Sequence, residues 1–175
     1  MIWLWILIGA VVLIAIIFFS YYNRFQILEN RIDNSLSQIN VQLKRRADLI
    51  PNLVKTVKGY AKHEKEAIKE VTDARKEMMK SEGLGDKVQA DEKLQSALKN
   101  LFAIAEGYPD LKANQNFLQL QNELTTTEDK IAYARQHYND SVLSYNNLCE
   151  TFPGVMFARM FNKKEKQYLQ VSKEE

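Results

Sequence analysis

The most constraining feature of the chain is its apolar start, because residues 1–19 contain no charged or polar side chain. The first charged side chain is that of Arg24. About 20 consecutive apolar residues are what a helix needs to cross a hydrocarbon core roughly 30 Å thick, and a buried helix of a soluble domain seldom needs so many. The sequence therefore predicts a membrane anchor over residues 1–23 that carries a polar body.

Aromatic residues mark both ends of this predicted anchor. Trp3 and Trp5 lie near its start, and Tyr21 and Tyr22 lie at its end. Trp and Tyr favour the interface between lipid and water, and a helix from Trp3 to Tyr21 is about 27 Å long. Because this length matches the thickness of a bilayer, we expect the four rings to lie at its two surfaces, with lipid as a partner.

A cleaved signal peptide is the alternative interpretation of the same segment. Signal peptides begin with basic residues, contain an apolar region of about 7 to 15 residues and end at a small-residue cleavage site. Here no Lys or Arg precedes the apolar run, which is longer and ends in Phe18-Phe19-Ser20-Tyr21-Tyr22. These differences favour retention of the segment as an anchor.

The distribution of charge predicts an orientation and limits the partners. All 24 Lys and Arg residues follow the apolar run, with Arg24 and Arg31 close to it. The positive-inside rule then favours an N-terminus outside and a body in the cytoplasm. A net charge of +2 is too small to suggest nucleic-acid binding, and the single Cys excludes an internal disulfide framework.

Apolar residues at spacings of three and four, from Phe25 to Ile50, predict a helix that continues directly from the anchor. This stripe lasts for about four heptads, as in a coiled coil. Pro51 interrupts it, so we expect a bend or a short break there. The pattern then resumes at Leu53 and runs to Met79.

Turn-forming residues separate the later helices. Gly83-Leu84-Gly85-Asp86 ends this stretch, Gly107-Tyr108-Pro109-Asp110 ends the helix from Val88 to Ala105, and Phe152-Pro153-Gly154 follows the last helix. No segment alternates with period two between hairpin turns, so a sheet is not expected. Helices with one apolar face must bury those faces on each other. We therefore predict an all-α fold, an antiparallel bundle of about four helices over residues 24–154.

The last segment, residues 155–175, carries an apolar cluster followed by basic residues. One interpretation is a cap on the end of the bundle with a frayed tail. The other is a segment that docks on lipid head groups or on a partner. The sequence leaves both open.

No group of residues matches a catalytic or metal-binding pattern. A di-metal site in a helical bundle requires Glu-x-x-His pairs, and neither His63 nor His137 has a Glu three residues before it. The pair His63-Glu64 also lacks the second His of a zinc protease motif, because Ala67 stands in its place. Cys149 has no neighbouring His to activate it. The sequence predicts a protein that is not an enzyme and holds no metal or cofactor.

Two polar groups stand out from the apolar stripes. Lys44-Arg45-Arg46-Ala47-Asp48 lies on the first helix, and an amide-rich group begins with Asn114-x-Asn116. Arg45 and Asp48 are i, i+3 neighbours, so exposed surface pairing is the simpler interpretation. The alternative is a polar seam between helices or subunits, because Arg offers a planar fork of donors. The candidate seam residues are Lys44, Arg45, Arg46, Asp48, Asn114 and Asn116.

Several blocks of the sequence resemble the LemA family of bacterial membrane proteins. The first block runs from Gln42 through Pro51 to Val54 and continues with Val57-Lys58-Gly59-Tyr60-Ala61-x-His63-Glu64. The later blocks are Tyr108-Pro109-Asp110-Leu111-Lys112-Ala113-Asn114-x-Asn116-Phe117, Glu128-x-Lys130-Ile131-Ala132-x-Ala134-Arg135-x-x-Tyr138-Asn139, and Tyr145-Asn146 followed by Phe152-Pro153.

This resemblance implies a single-pass protein of the bacterial inner membrane, with an N-terminal membrane helix followed by a long, mostly antiparallel bundle. It implies no known activity and no catalytic residue, although a relative in magnetosome gene clusters has been linked to the formation of membrane organelles. Its motif residues are expected to shape the backbone, with Pro51 as a bend, Gly59 as a close-packing site and Tyr108-Pro109-Asp110 as the turn that starts the last helix. Our candidate turn or bend residues are Pro51, Gly59, Gly83, Gly85, Tyr108, Pro109 and Pro153.

Two functions agree with these features. The first is a non-enzymatic, membrane-anchored scaffold that forms a homo-oligomer or recruits other membrane proteins. Anchored copies meet in two dimensions, which raises their effective concentration and makes weak contacts sufficient. The alternative is an accessory or sensor subunit in an envelope-stress or membrane-proteolysis pathway, whose bundle opens at Pro51.

Overall fold

The computed structural model describes residues 1–169, in which every regular element is an α-helix. The predicted all-α fold is therefore confirmed for this part of the chain, and residues 170–175 of the predicted tail lie outside it. The helices are α1 (Ile2–Tyr60), α2 (Lys65–Lys80), α3 (Leu84–Ala105), α4 (Pro109–Lys112), α5 (Gln115–Glu150) and α6 (Gly154–Met160).

The chain divides into two compact units. The terminal unit comprises residues 1–36 and 135–175, and the central unit comprises residues 37–134. The long helices α1 and α5 each contribute residues to both units.

The central unit packs four long helical segments, from the end of α1, from α2, from α3 and from the start of α5, and also contains the short helix α4. Tyr60 on α1 accepts a hydrogen bond from Asn114, just before α5, while Arg46 on α1 pairs with Glu128 further along α5, so these two helices are antiparallel. Apolar residues three and four apart on each helix form the core. It includes Ile39, Leu43, Ile50, Leu53, Val57, Ile68, Val71, Met78, Val88, Leu94, Leu98, Leu101, Phe117, Leu124 and Ile131.

The terminal unit packs the first part of α1, the end of α5 and α6. The rings of Phe25 and Tyr145 meet edge to face with centroids 5.8 Å apart. After α6 the chain returns along α5, where the side chain of Asn146 accepts from the Lys166 N–H and donates to its carbonyl, both at 2.9 Å. The core includes Phe25, Leu28, Ile32, Tyr138, Val142, Tyr145, Leu148, Ala158 and Leu169.

The structure corrects the expected position of the first interruption. Helix α1 shows no break at Pro51 and continues to Tyr60, and the interruption instead covers residues 61–64. A hydrogen bond from Arg75 to the carbonyl of Ala47 compensates for the N–H that Pro51 lacks. A bend at Pro51 remains a prediction.

Other turn residues differ in role from what their motifs suggest. Gly59 is exposed within α1, and a Cβ added there would meet open space, so it is not a site of close packing. Gly83 precedes the first residue of α3, whereas Gly85 lies inside that helix. Tyr108 and Pro109 open the four-residue helix α4 rather than the last long helix, which begins at Gln115. Pro153 directly precedes α6.

By length and composition, one helix among residues 1–169 qualifies as a membrane span, and it is α1. No residue of its most apolar stretch is buried in the isolated chain. In water such a surface is unfavourable, so this stretch requires an apolar environment.

Candidate functional site

The predicted interfacial tyrosines lie at the end of the apolar stretch of α1 and contact α6. The Tyr21 ring is stacked on the Phe157 ring, with centroids 4.5 Å apart and planes at 7°. The Tyr22 ring meets Phe161 edge to face at 5.5 Å. At the other end of the stretch, Trp3 and Trp5 are largely exposed.

The predicted polar seam contains one buried residue, Arg46. Its Nη1 donates to Asp91 Oδ1 at 2.7 Å, and their side chains are 2% and 4% exposed. The other terminal nitrogen, Nη2, lies 3.4 Å from Glu128 Oε2, and Gln95 also donates to Glu128. Arg46 thus joins α1, α3 and α5 of the central unit through charged hydrogen bonds, which are stronger than neutral ones.

The seam residues predicted from the sequence do not include Asp91 and Glu128. That prediction combined the basic triplet with an amide-rich group instead. A signal for them exists in the apolar periodicity. Asp91 lies three residues before the buried Leu94, and Glu128 lies three residues before the buried Ile131. A charged residue on an apolar stripe must find an opposite charge when the stripe is buried.

The remaining seam residues have separate roles. Arg45 is exposed and lies 3.9 Å from Glu123 on α5. Asn114 caps α5, because its Oδ1 accepts from the Phe117 N–H at 3.1 Å, and its Nδ2 donates to the Tyr60 hydroxyl at 2.9 Å. Lys44, Asp48 and Asn116 are exposed.

A groove of about 530 Å³ runs between α1 and α5 on the surface of the central unit. Val41 and Tyr133 line this α1–α5 groove and are 59% and 68% exposed. Gln42 also lines it, and its buried Oε1 accepts no hydrogen bond from residues 1–169. A buried acceptor without a donor costs about 1–3 kcal/mol.

A second groove, about 620 Å³ in volume, lies between the end of α1 and α2. Its lining is basic, although Asp73 forms an ion pair with Lys76 at 3.0 Å. The hydrogen bond from Lys76 lowers the pKa of Asp73. The basic residues are Lys58, Lys62, Lys65, Lys69 and Lys76.

Cys149 and Tyr145, whose side chains could act as nucleophiles, lie in a packed environment. Cys149 is buried on α5, and burial raises the pKa of its thiol. Burial also raises the pKa of the nearby Tyr145, whose hydroxyl donates to Glu29 at 3.2 Å. A protonated, buried thiol is a poor nucleophile, so this cluster fits a structural role. Among residues 1–169, no three His, Cys, Asp or Glu side chains are grouped so that they would hold a metal ion.

Comparison with known proteins identifies the family. The family model described as "LemA family" matches residues 35–175. The chain belongs to the LemA family. This match includes the blocks that carry Arg46, Pro51, Tyr108 and Glu128.

Three similar proteins illustrate the range of the similarity. Protein LemA of Metamycoplasma hominis is 31% identical over 147 residues, which cover 79% of this chain and 65% of that protein. Magnetosome protein MamQ of Magnetospirillum gryphiswaldense is 27% identical over 173 residues, covering 84% and 64%. Magnetosome protein MamQ 1 of Paramagnetospirillum magneticum is 26% identical over 175 residues, covering 85% and 64%. The chain therefore spans slightly less than two thirds of the length of these curated relatives. Together with the exposed apolar stretch of α1, this membership supports a membrane-associated protein of the LemA family.

Proposed function

We propose that this LemA-family protein is a membrane-anchored, non-enzymatic scaffold that acts by lateral self-association and recruits other membrane proteins. The observation that carries the proposal is the construction of α1. One helix contains the exposed apolar stretch and also supplies core residues such as Ile39 and Leu53 to the bundle. The apolar stretch therefore cannot leave the bilayer without carrying the bundle with it.

Anchoring makes weak contacts between copies effective. Two bodies held on the same bilayer meet in two dimensions, so their effective concentration is high even when each contact is small. The α1–α5 groove is our candidate contact between copies. It combines the exposed side chains of Val41 and Tyr133 with one acidic and one basic residue, Asp129 and Lys130. Two copies can therefore bury apolar surface and also pair opposite charges.

Self-association is tested with the full-length chain in nanodiscs and in detergent. Multi-angle light scattering gives the number of copies, and thiol crosslinking locates the contact. In a Cys149→Ser background, Val41→Cys should form crosslinked dimers, whereas the matched exposed control Lys62→Cys in the other groove should not. A strict monomer at high concentration that also retrieves no protein after crosslinking in cells would exclude a scaffold.

We further propose that the protein is a single-pass protein of the bacterial inner membrane, with the bundle in the cytoplasm. The charges that follow the apolar stretch support this orientation. A membrane-impermeant maleimide added to intact cells should leave Lys62→Cys unlabelled until the cells are lysed. Labelling in intact cells would reverse the orientation without affecting the scaffold proposal.

A sensor or accessory role in envelope stress is a second candidate, because the helix at Pro51 depends on a contact from another helix. The Arg75 side chain supplies the hydrogen bond to Ala47 that the backbone cannot. A stress cue that removed this contact would loosen the central unit. Hydrogen exchange around residues 48–54 should then rise with the cue, and an unchanged pattern would favour the passive scaffold.

A further inference from the structure

Helix α6, together with Phe152 and Pro153 just before it, exposes an apolar stripe on the surface of the chain. Phe152, Met156 and Met160 are spaced four residues apart and are 81%, 59% and 64% exposed. Three large apolar side chains side by side are unusual on a surface that faces water. Such exposed apolar patches mark interaction sites.

The opposite face of α6 is fixed against α1. Phe157 stacks on Tyr21 at 4.5 Å, and its ring centroid lies 6.4 Å from that of Phe18. Phe161 contacts Phe18 at 5.2 Å and Tyr22 at 5.5 Å. These contacts hold α6 beside the residues where the apolar stretch of α1 ends, within about one to two helical turns of the first charged side chain, Arg24.

Basic residues accompany the apolar stripe. Arg159 on α6 and Lys164 just after it are exposed. Lys163 is engaged within the protein, because its Nζ lies 2.7 Å from Glu29 Oε2, and the Lys166 ammonium lies over the Tyr145 ring at 5.8 Å. Arg159 and Lys164 are therefore the two cations best placed for groups outside the chain.

We propose that α6 lies in the headgroup layer of an anionic bilayer, with Phe152, Met156 and Met160 in the acyl boundary and Arg159 and Lys164 beside lipid phosphates. We assign lipid as the partner of this stripe because of where α6 packs. The rings that contact Phe157 and Phe161 are those of Phe18, Tyr21 and Tyr22, which lie at the end of the predicted span. Amphipathic helices with this composition bury their apolar face roughly 5–10 Å into the interface. The inference rests on the proposed membrane anchoring, and it makes α6 a second, peripheral lipid contact.

The test places a fluorescent label at single cysteines of the full chain in nanodiscs. The background is Cys149→Ser, or Cys149→Ala if circular dichroism shows that the serine variant is poorly folded. The probe sites are Met156→Cys and Met160→Cys. The matched references are Phe19→Cys, an exposed position in the apolar stretch, and Lys62→Cys, an exposed position in the central unit. Each label is quenched in turn by brominated phosphatidylglycerol and by aqueous iodide.

We expect brominated lipid to reduce emission at Met160→Cys by about twofold or more, close to its effect at Phe19→Cys, because both labels would lie in the acyl region. Iodide should quench Lys62→Cys and spare both α6 sites. Replacing Arg159 and Lys164 together by Gln should reduce the lipid quenching at Met160→Cys and leave that at Phe19→Cys unchanged. In discs in which brominated phosphatidylcholine replaces the anionic lipid, quenching at Met160→Cys should fall in the same way, while quenching at Phe19→Cys persists.

Other results would overturn the proposal. Quenching of the α6 sites by iodide, as at Lys62→Cys, would place α6 in water. Protection of these sites from both quenchers would mean that a second copy or another protein covers the stripe. A label at Phe19→Cys that brominated lipid does not quench would instead refute the anchoring on which the proposal rests.

Discussion

Arg75 on α2 donates a hydrogen bond from Nε to the main-chain carbonyl of Ala47 on α1, at 2.7 Å. Ala47 is four residues before Pro51, so its carbonyl is the one that a backbone N–H at position 51 would bind. A side chain of α2 thus supplies the hydrogen bond that the proline removes from the backbone of α1. This contact explains how α1 continues as a helix to Tyr60.

Replacing Arg75 by Met should therefore destabilise the bundle more than loss of an exposed charge would. We expect the free energy of unfolding to fall by about 1–3 kcal/mol, because the Ala47 carbonyl is left without a donor. In a Pro51→Ala background, the restored N–H should reduce that loss. Denaturant unfolding of the four chains of this double-mutant cycle, followed by circular dichroism in detergent, measures the coupling. A coupling of zero would mean that the contact does not compensate for the proline.

The buried pair of Arg46 and Asp91 should behave differently from an exposed pair. Asp91→Ala leaves a buried guanidinium with incomplete pairing and should cost about 3–5 kcal/mol. The matched control is Asp73→Ala, which removes the exposed partner of Lys76 and should change the free energy of unfolding little. The apolar double variant Arg46→Met with Asp91→Leu should recover most of the loss. Equal effects of the two alanine variants in denaturant unfolding would contradict this account.

Two glycines should respond in opposite directions to substitution by alanine. A Cβ at Gly154 would clash with the carbonyl oxygen of Leu148, so Gly154→Ala should destabilise the start of α6 by about 1–3 kcal/mol. At Gly59 the same change meets open space within a helix and should stabilise by about 0.5–1 kcal/mol. Thermal unfolding of both variants, compared with the natural chain, measures the difference. A destabilised Gly59→Ala would restore the close-packing role that its motif suggested.

The stability of the terminal unit should fall in strong base. Burial, assisted by the nearby Cys149 and Glu29, raises the pKa of Tyr145 above its ordinary value of 10.0. Above about pH 10 the unfolded chain releases this proton while the folded chain retains it, so the free energy of unfolding falls as the pH rises. Tyr145→Phe should make that fall shallower above about pH 10, as measured by denaturant unfolding. An unchanged slope would assign the dependence to other groups, such as Tyr138 and Cys149, whose pKa values are also raised.

Much of the architecture was predictable because helical periodicity is a local property. The stripe from Phe25 to Ile50 predicted the buried face of α1, and all but one of its eight positions are buried hydrophobic residues. The exception is Leu36, which is only partly buried. The turn residues around Gly83 and Pro153 likewise marked the ends of helices. Arg46 was predicted as a seam residue, whereas its partner Asp91 was not, because periodicity identifies a buried face but not which face it meets.

The sequence by itself determined that the chain has an apolar N-terminal stretch and an all-α body, since both follow from the order of apolar and polar residues along a helix. Only the tertiary structure decided where α1 ends. Its interruption at residues 61–64 lies where Glu64 accepts a hydrogen bond from Tyr108 and Tyr60 accepts one from Asn114. These partners are more than 40 residues away in sequence, and contacts of that range depend on how the helices pack rather than on local preference.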